Sequence, residues 1–363
     1  MRIAHVLSSF GLGGQERMAV DLARAQRAAG NDVLAVSLAP PPEGPLAAAF
    51  AAAGVEVVTV AKRAGFDATL PIRLARVFER KAVDVVHTHN PQPLIYGAPA
   101  AKLAGAALIH TKHGRNPDTA RRRWLRRMAA KLVDAYVAVS PSTAAVAREF
   151  QDCAEDRLSV IENGIDVTIF TLGASVRHAV RDELGIPRDA WVVGTIGRLS
   201  PEKDQKTLIQ AMVPQLDSKR RLLIVGDGPE RNALGALVTT LGKTPFVHFT
   251  GVRHDPARLL AAFDVFALSS RTEGLPLVVL EAMAAALPVV STDVGGIGDV
   301  IEHERTGFLV PPGDVAKLER ALGKLYEKPD LGRRVGLAAR HAVRRTHSVE
   351  RMASEYAVLY RTV

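Results

Sequence analysis

Short apolar runs rich in Val and Ile alternate with segments of helical periodicity along almost the whole chain of 363 residues. Residues 2–8 have the pattern of a strand, and residues 16–29 that of a helix. Strands that are apolar on both faces and separated by helices are typical of parallel sheets covered on both sides. The alternation weakens over residues 163–177 and starts again at residue 191. The sequence therefore predicts an α/β protein built from two successive doubly wound units.

The same patterns place further elements in both units. Strands are predicted at residues 32–38, 55–60, 84–87, 107–111 and 135–139, and in the second unit at residues 191–196, 222–225, 246–249, 265–268, 288–291 and 307–310. Residues 70–81 and 206–212 are predicted to be helical, and Ser140 with Pro141 to begin another helix. Residues 348–363 carry apolar side chains at helical spacing and predict a final amphipathic helix.

Composition narrows the classes of protein that fit. The net charge of +9 favours anionic partners such as phosphates, nucleic acid or a membrane surface. The single cysteine, Cys153, excludes an internal disulfide or a thiolate metal cluster. Because no apolar run approaches the roughly 18 residues that span a bilayer, and the first residues lack the pattern of a signal peptide, we expect a cytoplasmic protein. Attachment to the inner face of the membrane stays open.

A glycine-containing loop lies between the first strand and the first helix. Gly13 and Gly14 let the backbone approach a ligand, and the helix N-terminus that follows favours an anion. The alternative is a turn needed only for packing. The spacing is not that of the dinucleotide fingerprint, and no acidic residue ends the second strand. Both facts count against a nucleotide-linked oxidoreductase.

The second unit carries two charged segments at the ends of predicted strands. Arg198 and Lys203 follow its first strand, where a fork and a point charge could converge on a diphosphate, although a solvated basic loop has the same composition. Glu273 precedes a turn, and Glu281 lies inside an apolar helix that begins near Pro276. A lone buried carboxylate is costly, so sugar or ribose hydroxyls are suitable partners for it. The helix N-terminus between the two glutamates would face a phosphate.

These segments together resemble the retaining group 1 glycosyltransferases. Glu273 and Glu281 match the E-x7-E motif of that family, and Arg198 and Lys203 match its phosphate-clamping pair. Further matches, in the family's order, are Gly13–Glu16 with its Gly-Gly-x-Glu loop, residues 163–166 (NGID) with its Asn-Gly-Val-Asp signature, and residues 225–229 (VGDGP). The matches extend over nearly the whole chain, and their order makes the set specific.

The resemblance implies the GT-B architecture, in which two Rossmann-like domains face each other across a cleft. The first domain would comprise residues 1–166 and bind the acceptor, and the second, residues 167–347, would bind the nucleotide-sugar donor. The helix at about residues 348–363 would pack back on the first domain. Retention in this family is described as front-face attack, in which a donor phosphate oxygen receives the acceptor proton. Arg198 and Lys203 would then stabilise the leaving diphosphate.

The resemblance also assigns individual residues. Glu273, Arg198, Lys203 and His113 would be catalytic, with His113 contacting the donor sugar. Gly13, Gly14, Gly228, Val252, Gly274, Leu275, Pro276, Leu277 and Glu281 would bind the donor. Among these, Glu281 would hold the ribose hydroxyls, and Gly228 and Val252 would lie near the base. For His113 the alternative is simple loop packing.

Two histidines at the end of a predicted strand bear on metal binding. His87 and His89 lie two residues apart, but no carboxylate is seen to converge on them, and the chain contains no Asp-x-Asp motif. We therefore expect no metal. His89 and Asn90 are interpreted as facing the acceptor or the sugar, and His87 as a structural residue.

A basic segment, Arg121–Lys131, is the main concentration of charge. On a helix it would place Trp124, Leu125, Met128, Ala129, Leu132 and Val133 on one face. The segment fits either an interfacial membrane helix or an ordinary helix whose apolar face is in the core. Nucleic-acid binding is a weaker interpretation because no aromatic stacking platform accompanies the charges.

The sequence thus predicts a retaining glycosyltransferase that uses a nucleotide-diphosphate sugar, preferably a UDP-sugar, without a metal or other cofactor. The charge and the basic segment favour a lipid-linked or cell-envelope glycan as acceptor. A GT-B epimerase or phosphorylase stays open, as does a non-catalytic subunit that binds nucleotide-sugars.

Overall fold

The computed structural model describes residues 1–115 and 119–363. These residues form two compact units. The first comprises Met1–Ile165 and Val349–Val363, and the second comprises Asp166–Ser348. Each unit contains one parallel sheet with helices on both of its faces.

The described part of the first unit contains a seven-stranded sheet in the order β3-β2-β1-β4-β5-β6-β7. Its strands are β1 (Arg2–Leu7), β2 (Asp32–Ser37), β3 (Glu56–Thr59), β4 (Val85–His89), β5 (Ala107–Lys112), β6 (Ala135–Ala138) and β7 (Leu158–Val160). Its helices before the second unit are α1 (Gly14–Ala28), α2 (Ala47–Ala52), α3 (Leu70–Arg80), α4 (Pro91–Leu103), α5 (Ala120–Ala130) and α6 (Pro141–Glu149). A 3-10 turn spans Glu155–Arg157.

The described part of the second unit contains a six-stranded sheet in the order β10-β9-β8-β11-β12-β13. Its strands are β8 (Trp191–Ile196), β9 (Arg220–Val225), β10 (Val247–Phe249), β11 (Val265–Leu268), β12 (Val289–Thr292) and β13 (Phe308–Val310). Its helices are α7 (Ala174–Glu183), α8 (Gln205–Met212), α9 (Arg231–Thr240), α10 (Pro256–Ala261), α11 (Leu277–Ala284), α12 (Ile297–Val300), α13 (Val315–Glu327) and α14 (Pro329–Thr346), with a 3-10 turn at Thr244–Phe246. The last helix, α15 (Val349–Thr362), belongs to the first unit.

Strand alternation in the first sheet separates two kinds of interior. On β4, Val86 and Thr88 face a large aliphatic core, whereas His87 and His89 point to the opposite face, which packs against α1 and α15. The predicted strand at residues 84–87 extends to His89, so both histidines lie within the sheet rather than after it.

Two local signals in the sequence had contrasting outcomes. Ser140 caps α6 as predicted, because its hydroxyl accepts a hydrogen bond from the Thr143 N–H at 3.0 Å. Helix α4 had no clear sequence pattern, since Pro91, Pro93 and Pro99 all lie within it. Pro91 is tolerated at the first helical position, where its missing N–H has no intrahelical partner. No described helix combines the length and apolarity needed to span a bilayer.

Candidate functional site

The candidate site residues of the first unit lie at the carboxyl edge of its sheet, where β1, β4 and β5 end. Gly13 precedes α1 in an extended conformation, and a side chain there would come within 2.2 Å of the Glu16 carboxylate. Burial raises the pKa of Glu16. Gln15 donates a hydrogen bond to Glu16 and accepts one from the Asn90 amide. The glycine loop, including Gly14, is thereby linked to the end of β4.

Asn90 joins this loop to His113. Asn90 adopts a left-handed backbone conformation with φ of 67°, and its Oδ1 accepts a hydrogen bond from the His113 backbone N–H at 3.3 Å. His113 is half-buried, and its Nε2 lies 3.1 Å from Nδ1 of His89. Burial lowers the pKa of His113 to about 3, so the ring is neutral at ordinary pH. The role of His113 toward a sugar stays a prediction.

His89 differs from its predicted position. The side chain is fully buried, and its two ring nitrogens contact His5 and His113. It therefore cannot face an acceptor directly, as we expected from its place after a strand. His87 is also fully buried, with Tyr360 and Thr111 on its ring nitrogens, as a structural residue would be.

The sequence analysis missed a third histidine, His5 on β1. Its backbone is paired in register with His87, and its Nδ1 lies 3.0 Å from Nε2 of His89. One nitrogen from each of the three rings lies within 4.8 Å of the others, a spacing that could hold a metal ion. Every ring nitrogen of this group has a hydrogen-bond partner within the protein, which accounts for the cluster without one. A histidine at the fourth strand position of β1 and another at the third of β4 were the available signal.

The candidate site residues of the second unit form a separate, charged group. The Lys203 ammonium is 2.5 Å from Oε1 of Glu273, and the Ser270 hydroxyl donates to the same oxygen at 2.6 Å. Both ionic side chains are largely buried, with 24% and 9% of their side-chain surface exposed. Arg198, by contrast, is exposed. The structure thus brings Lys203 and Glu273 together as an ion pair, and the sequence analysis did not identify Ser270 as their neighbour.

The loops that carry these residues are tied to each other by their backbones. The Ser269 hydroxyl donates to the Asp204 carbonyl at 2.8 Å, and the Arg271 N–H donates to the Glu202 carbonyl at 2.8 Å. Arg271 also forms an ion pair with Asp204 at 3.0 Å. These contacts fix the position of Lys203 relative to Glu273.

Helix α11 begins directly after this cluster. Pro276 is its N-cap residue, and Leu277 its first helical residue, close to the predicted start. The Gly274 carbonyl accepts a hydrogen bond from the Gly296 N–H at 2.6 Å. Leu275 and Glu281 are buried, and Glu281 has a partner within the protein. The N-terminus of α11 gives this segment the character of an anion site.

Close backbone approach explains the glycine after β9. A side chain on Gly228 would lie 2.3 Å from the Leu199 carbonyl oxygen, and the residue adopts a φ of +159°. The bridge between Gly226 and Gly251 brings the end of β9 to the segment after β10, where the Val252 side chain is 51% exposed. The residues assigned to the base therefore lie on neighbouring loops of one sheet edge.

The apolar face predicted for the basic segment is divided in the structure. Trp124, Met128 and Leu132 are exposed, at 61%, 42% and 37%, whereas Ala129 and Val133 are buried. Arg126 is buried and donates to Asp152 at 2.6 Å, and Asp152 also accepts from Lys112 at 2.9 Å. This internal ion cluster turns Arg126 inward.

Arg127 also has a structural role, because its guanidinium donates a hydrogen bond to the Phe150 carbonyl. The exposed arginines of the basic segment are therefore Arg121, Arg122 and Arg123.

Comparisons with known proteins cover both units. Residues 190–328 match the family model described as glycosyl transferases group 1, and residues 12–169 match the model described as glycosyltransferase family 4. The UDP-Gal:alpha-D-GlcNAc-diphosphoundecaprenol alpha-1,3-galactosyltransferase of Escherichia coli is 28% identical over 269 residues, which are 70% of each chain. The N-acetyl-alpha-D-glucosaminyl L-malate synthase of Bacillus anthracis is 30% identical over 306 residues, 81% of this chain and 79% of that one.

The structure of HepE from Anabaena in complex with UDP-glucose superposes over the whole of both chains with a TM-score of 0.89 at 24% identity. Together with the two parallel-sheet units, this likeness confirms the predicted GT-B architecture. The chain belongs to the group 1 glycosyltransferases, the enzymes that transfer a sugar from a nucleotide sugar.

Proposed function

We propose that the protein transfers a sugar from a UDP-sugar to a hydroxyl of a lipid-linked acceptor, with retention of the anomeric configuration and without a metal. The observation that carries the proposal is the position of Glu273, held by Lys203 and Ser270 immediately before the N-terminus of α11. A carboxylate, a cation and a helix N-terminus in one place offer partners for sugar hydroxyls and for phosphates.

The donor would be held by groups of the second unit. Lys203 and Arg198 are assigned to the diphosphate, Glu273 and the backbone of Gly274–Leu277 to the sugar and phosphates, and Glu281 to the ribose hydroxyls. Lys203 already neutralises Glu273 at 2.5 Å, so its charge would be shared between the carboxylate and the leaving diphosphate. Such positioned charges stabilise a leaving group more strongly than water does.

UDP is the preferred nucleotide because HepE binds UDP-glucose and the Escherichia coli relative is named for UDP-Gal. A thermal-shift screen with UDP, GDP and their sugars tests this choice. A ligand at about 100 times its Kd stabilises the native state by roughly 2.7 kcal/mol. Selective stabilisation by GDP compounds would contradict the assignment, and donor binding without any turnover would favour a non-catalytic subunit.

Retention follows from a mechanism in which the acceptor attacks from the face that the diphosphate leaves. The bond between the donor sugar and the diphosphate breaks while the new glycosidic bond forms, and the acceptor hydroxyl proton passes to a donor phosphate oxygen. UDP then departs, and Lys203 and Arg198 stabilise its negative charge. Proton NMR of the first product formed reads the anomeric coupling directly. An α-linked product from an α-linked UDP-sugar is expected, and a β-linked product would refute retention.

Metal independence rests on these protein cations, which can offset the diphosphate charge. We expect full activity in excess EDTA. Loss of activity in chelator, with recovery on adding Mg²⁺ or Mn²⁺, would contradict this part of the proposal.

A lipid-linked acceptor is supported by the surface of α5. Trp124 and Met128 are exposed four residues apart on α5, after the exposed Arg121 and Arg122, and the exposed Leu132 follows the helix. An apolar stripe flanked by arginines fits an anionic bilayer interface. The Escherichia coli relative is named for a diphosphoundecaprenol acceptor. The L-malate synthase, in contrast, is named for a small acid.

Vesicle flotation tests the membrane contact. Each arginine near an anionic surface contributes about 1 kcal/mol, so the R121Q/R122Q variant should bind vesicles with anionic lipid about 30-fold more weakly. The matched control is R333Q/R334Q, which removes two exposed arginines from α14 of the second unit. Equal binding by both variants and the parent would remove the support for a membrane-bound acceptor.

A further inference from the structure

Eight side chains of the first unit form one continuous hydrogen-bonded chain. It begins at the sheet edge with His113 and runs through the sheet interior to α1 and α15. Its members, in order, are His113, His89, His5, Gln26, Tyr360, His87, Thr111 and Tyr356. Each consecutive pair lies within 3.1 Å, and all members except His113 are buried.

The register of the parallel strands brings these residues together. His5 is paired with His87, and His89 with Thr111, so four polar residues of three neighbouring strands share one face. Gln26 from α1 and the two tyrosines from α15 cover that face. Helix α15 therefore provides two of the eight members of the network.

Gln26 sets the direction of the hydrogen bonds. Its Oε1 lies 2.7 Å from Nε2 of His5, and its Nε2 donates to the Tyr360 hydroxyl at 3.0 Å. Because an amide oxygen only accepts, His5 must carry its proton on Nε2. Burial lowers the pKa of His5 to about 4, so the ring is neutral and its Nδ1 is an acceptor.

The same reasoning continues outward to the sheet edge. With Nδ1 of His5 accepting, Nε2 of His89 must donate, at 3.0 Å. The pKa of His89 is lowered well below its usual value by burial, so this ring is neutral too, and its Nδ1 accepts. Nε2 of His113 must then donate to it, at 3.1 Å. Nε2 of His113 is thus committed, and Nδ1 is the ring nitrogen that a ligand would meet.

We propose that Gln26, acting through His5 and His89, holds His113 as the single tautomer that carries its proton on Nε2 and presents Nδ1 as a hydrogen-bond acceptor. The three are positioning residues, since all of them are buried. The effect on catalysis rests on the proposed role of His113 toward the donor sugar. In that role Nδ1 would accept a hydrogen bond from a sugar hydroxyl and could not donate one.

The opposite face of the same strands provides a matched control. Thr88 and His110 are buried as deeply, and the Thr88 hydroxyl lies 2.9 Å from Nδ1 of His110. They face the aliphatic core instead of the chain that leads to His113. The Thr88→Val change therefore removes a buried hydrogen bond to a histidine without touching that chain.

The test is NMR of the full chain with ¹⁵N-labelled histidine, which distinguishes a protonated from an unprotonated ring nitrogen. In the parent, the proton is expected on Nε2 of His5, His89 and His113. A reversed amide at Gln26 would reverse every donor and place the His113 proton on Nδ1. That result would overturn the proposal, and it would be visible even if the protein transferred no sugar, so the readout is separate from the proposed function.

Gln26→Met removes the amide that sets the direction of the hydrogen bonds from His5 to His113. We expect His113 to become a mixture of tautomers and kcat to fall at least 10-fold, with KM for the donor changed less than threefold. Thr88→Val should change neither the tautomer nor kcat. A fall in kcat with the His113 tautomer unchanged, or no change in either, would refute the positioning role.

Tyr360→Phe is the second test of the proposal, to be used if Gln26→Met fails to fold. It removes a single oxygen and frees the Gln26 amide from its second contact. The same mixture of tautomers at His113 is expected, and a tautomer identical to that of the parent would contradict the proposal.

Discussion

Each unit has candidate site residues at the carboxyl edge of its parallel sheet, yet the two groups of residues differ in chemistry. In the first unit His113 and His89 are neutral and are joined by a hydrogen bond without formal charge. In the second unit the edge is ionic, with Lys203 paired to Glu273 at 2.5 Å and Arg198 exposed nearby in sequence. A shared fold therefore does not determine the electrostatics of the site.

The difference follows from what each edge would have to bind. Sugar and acceptor hydroxyls are neutral and are recognised by directed hydrogen bonds, whereas a diphosphate is recognised by cations and helix N-termini. The first unit also contains ionic groups near its edge, but Lys112 lies inside the protein and is neutralised by Asp152. Its charges stabilise the fold, and those of the second unit are available for a ligand.

The largest effect is expected from breaking the buried ion cluster of the first unit. Asp152→Asn leaves Lys112 and Arg126 buried without their carboxylate, and breaking a buried pair costs about 3–5 kcal/mol of unfolding free energy. Urea denaturation measures the loss. Glu149→Gln is the control, because its pair with Arg115 is exposed and such pairs contribute about 0–1 kcal/mol. Equal losses would mean that the buried cluster is not the structural element inferred here.

Glu273→Gln tests the ionic edge of the second unit. The change keeps the shape of the side chain and removes the charge that faces Lys203 and Ser270. We expect turnover to fall at least 100-fold, about 2.7 kcal/mol of activation free energy, while the melting temperature shifts by only a few degrees. Activity within about twofold of the parent would remove Glu273 from the reaction.

Lys203→Ala separates diphosphate binding from nucleoside binding. Charge-assisted hydrogen bonds contribute roughly 1.5–3 kcal/mol, so UDP affinity should fall about 10- to 100-fold and uridine affinity should hardly change. Arg198→Ala should act in the same direction. Calorimetric titration measures both ligands, with Lys206→Ala, an exposed lysine on α8, as the matched control. Equal losses for UDP and uridine would move Lys203 away from the phosphates.

Lowering the pH should destabilise the first unit more than the second. The unfolded chain binds a proton at His5 below pH 6.5, but the folded chain binds it only below about pH 4. Stability therefore rises with pH across this window, and lowering the pH from 7 to 5 removes about 2 kcal/mol through His5 alone. Amide-exchange protection should fall in β1 and β4 more than in β8 and β9. The reverse order would contradict a neutral, buried histidine network in the first unit.

Much of the fold was predictable because strand and helix periodicity is local. The strands at Trp191–Ile196 and Val265–Leu268 were predicted to the residue, and α11 begins where Pro276 indicated. Helix α4 was missed, because its prolines oppose helix formation locally and tertiary packing against β4 and β5 overrides them.

The position of Arg126 on α5 differs from the prediction for a related reason. Apolar spacing alone separated Arg126 from the apolar face and left the burial of that face open, but Asp152, which is distant in sequence, provides a buried partner for Arg126. A long-range ion pair of this kind has no periodicity and leaves no local signal.

The sequence by itself determined the two α/β units, the family to which the chain belongs and the residue types at the ends of its strands. These depend on neighbouring residues or on motifs of fixed spacing. Only the tertiary structure decided that His89 is buried, that His5, Gln26 and Tyr360 join it, and that Lys203 meets Glu273. Such contacts depend on strand register and helix docking, which bring together residues up to 334 positions apart.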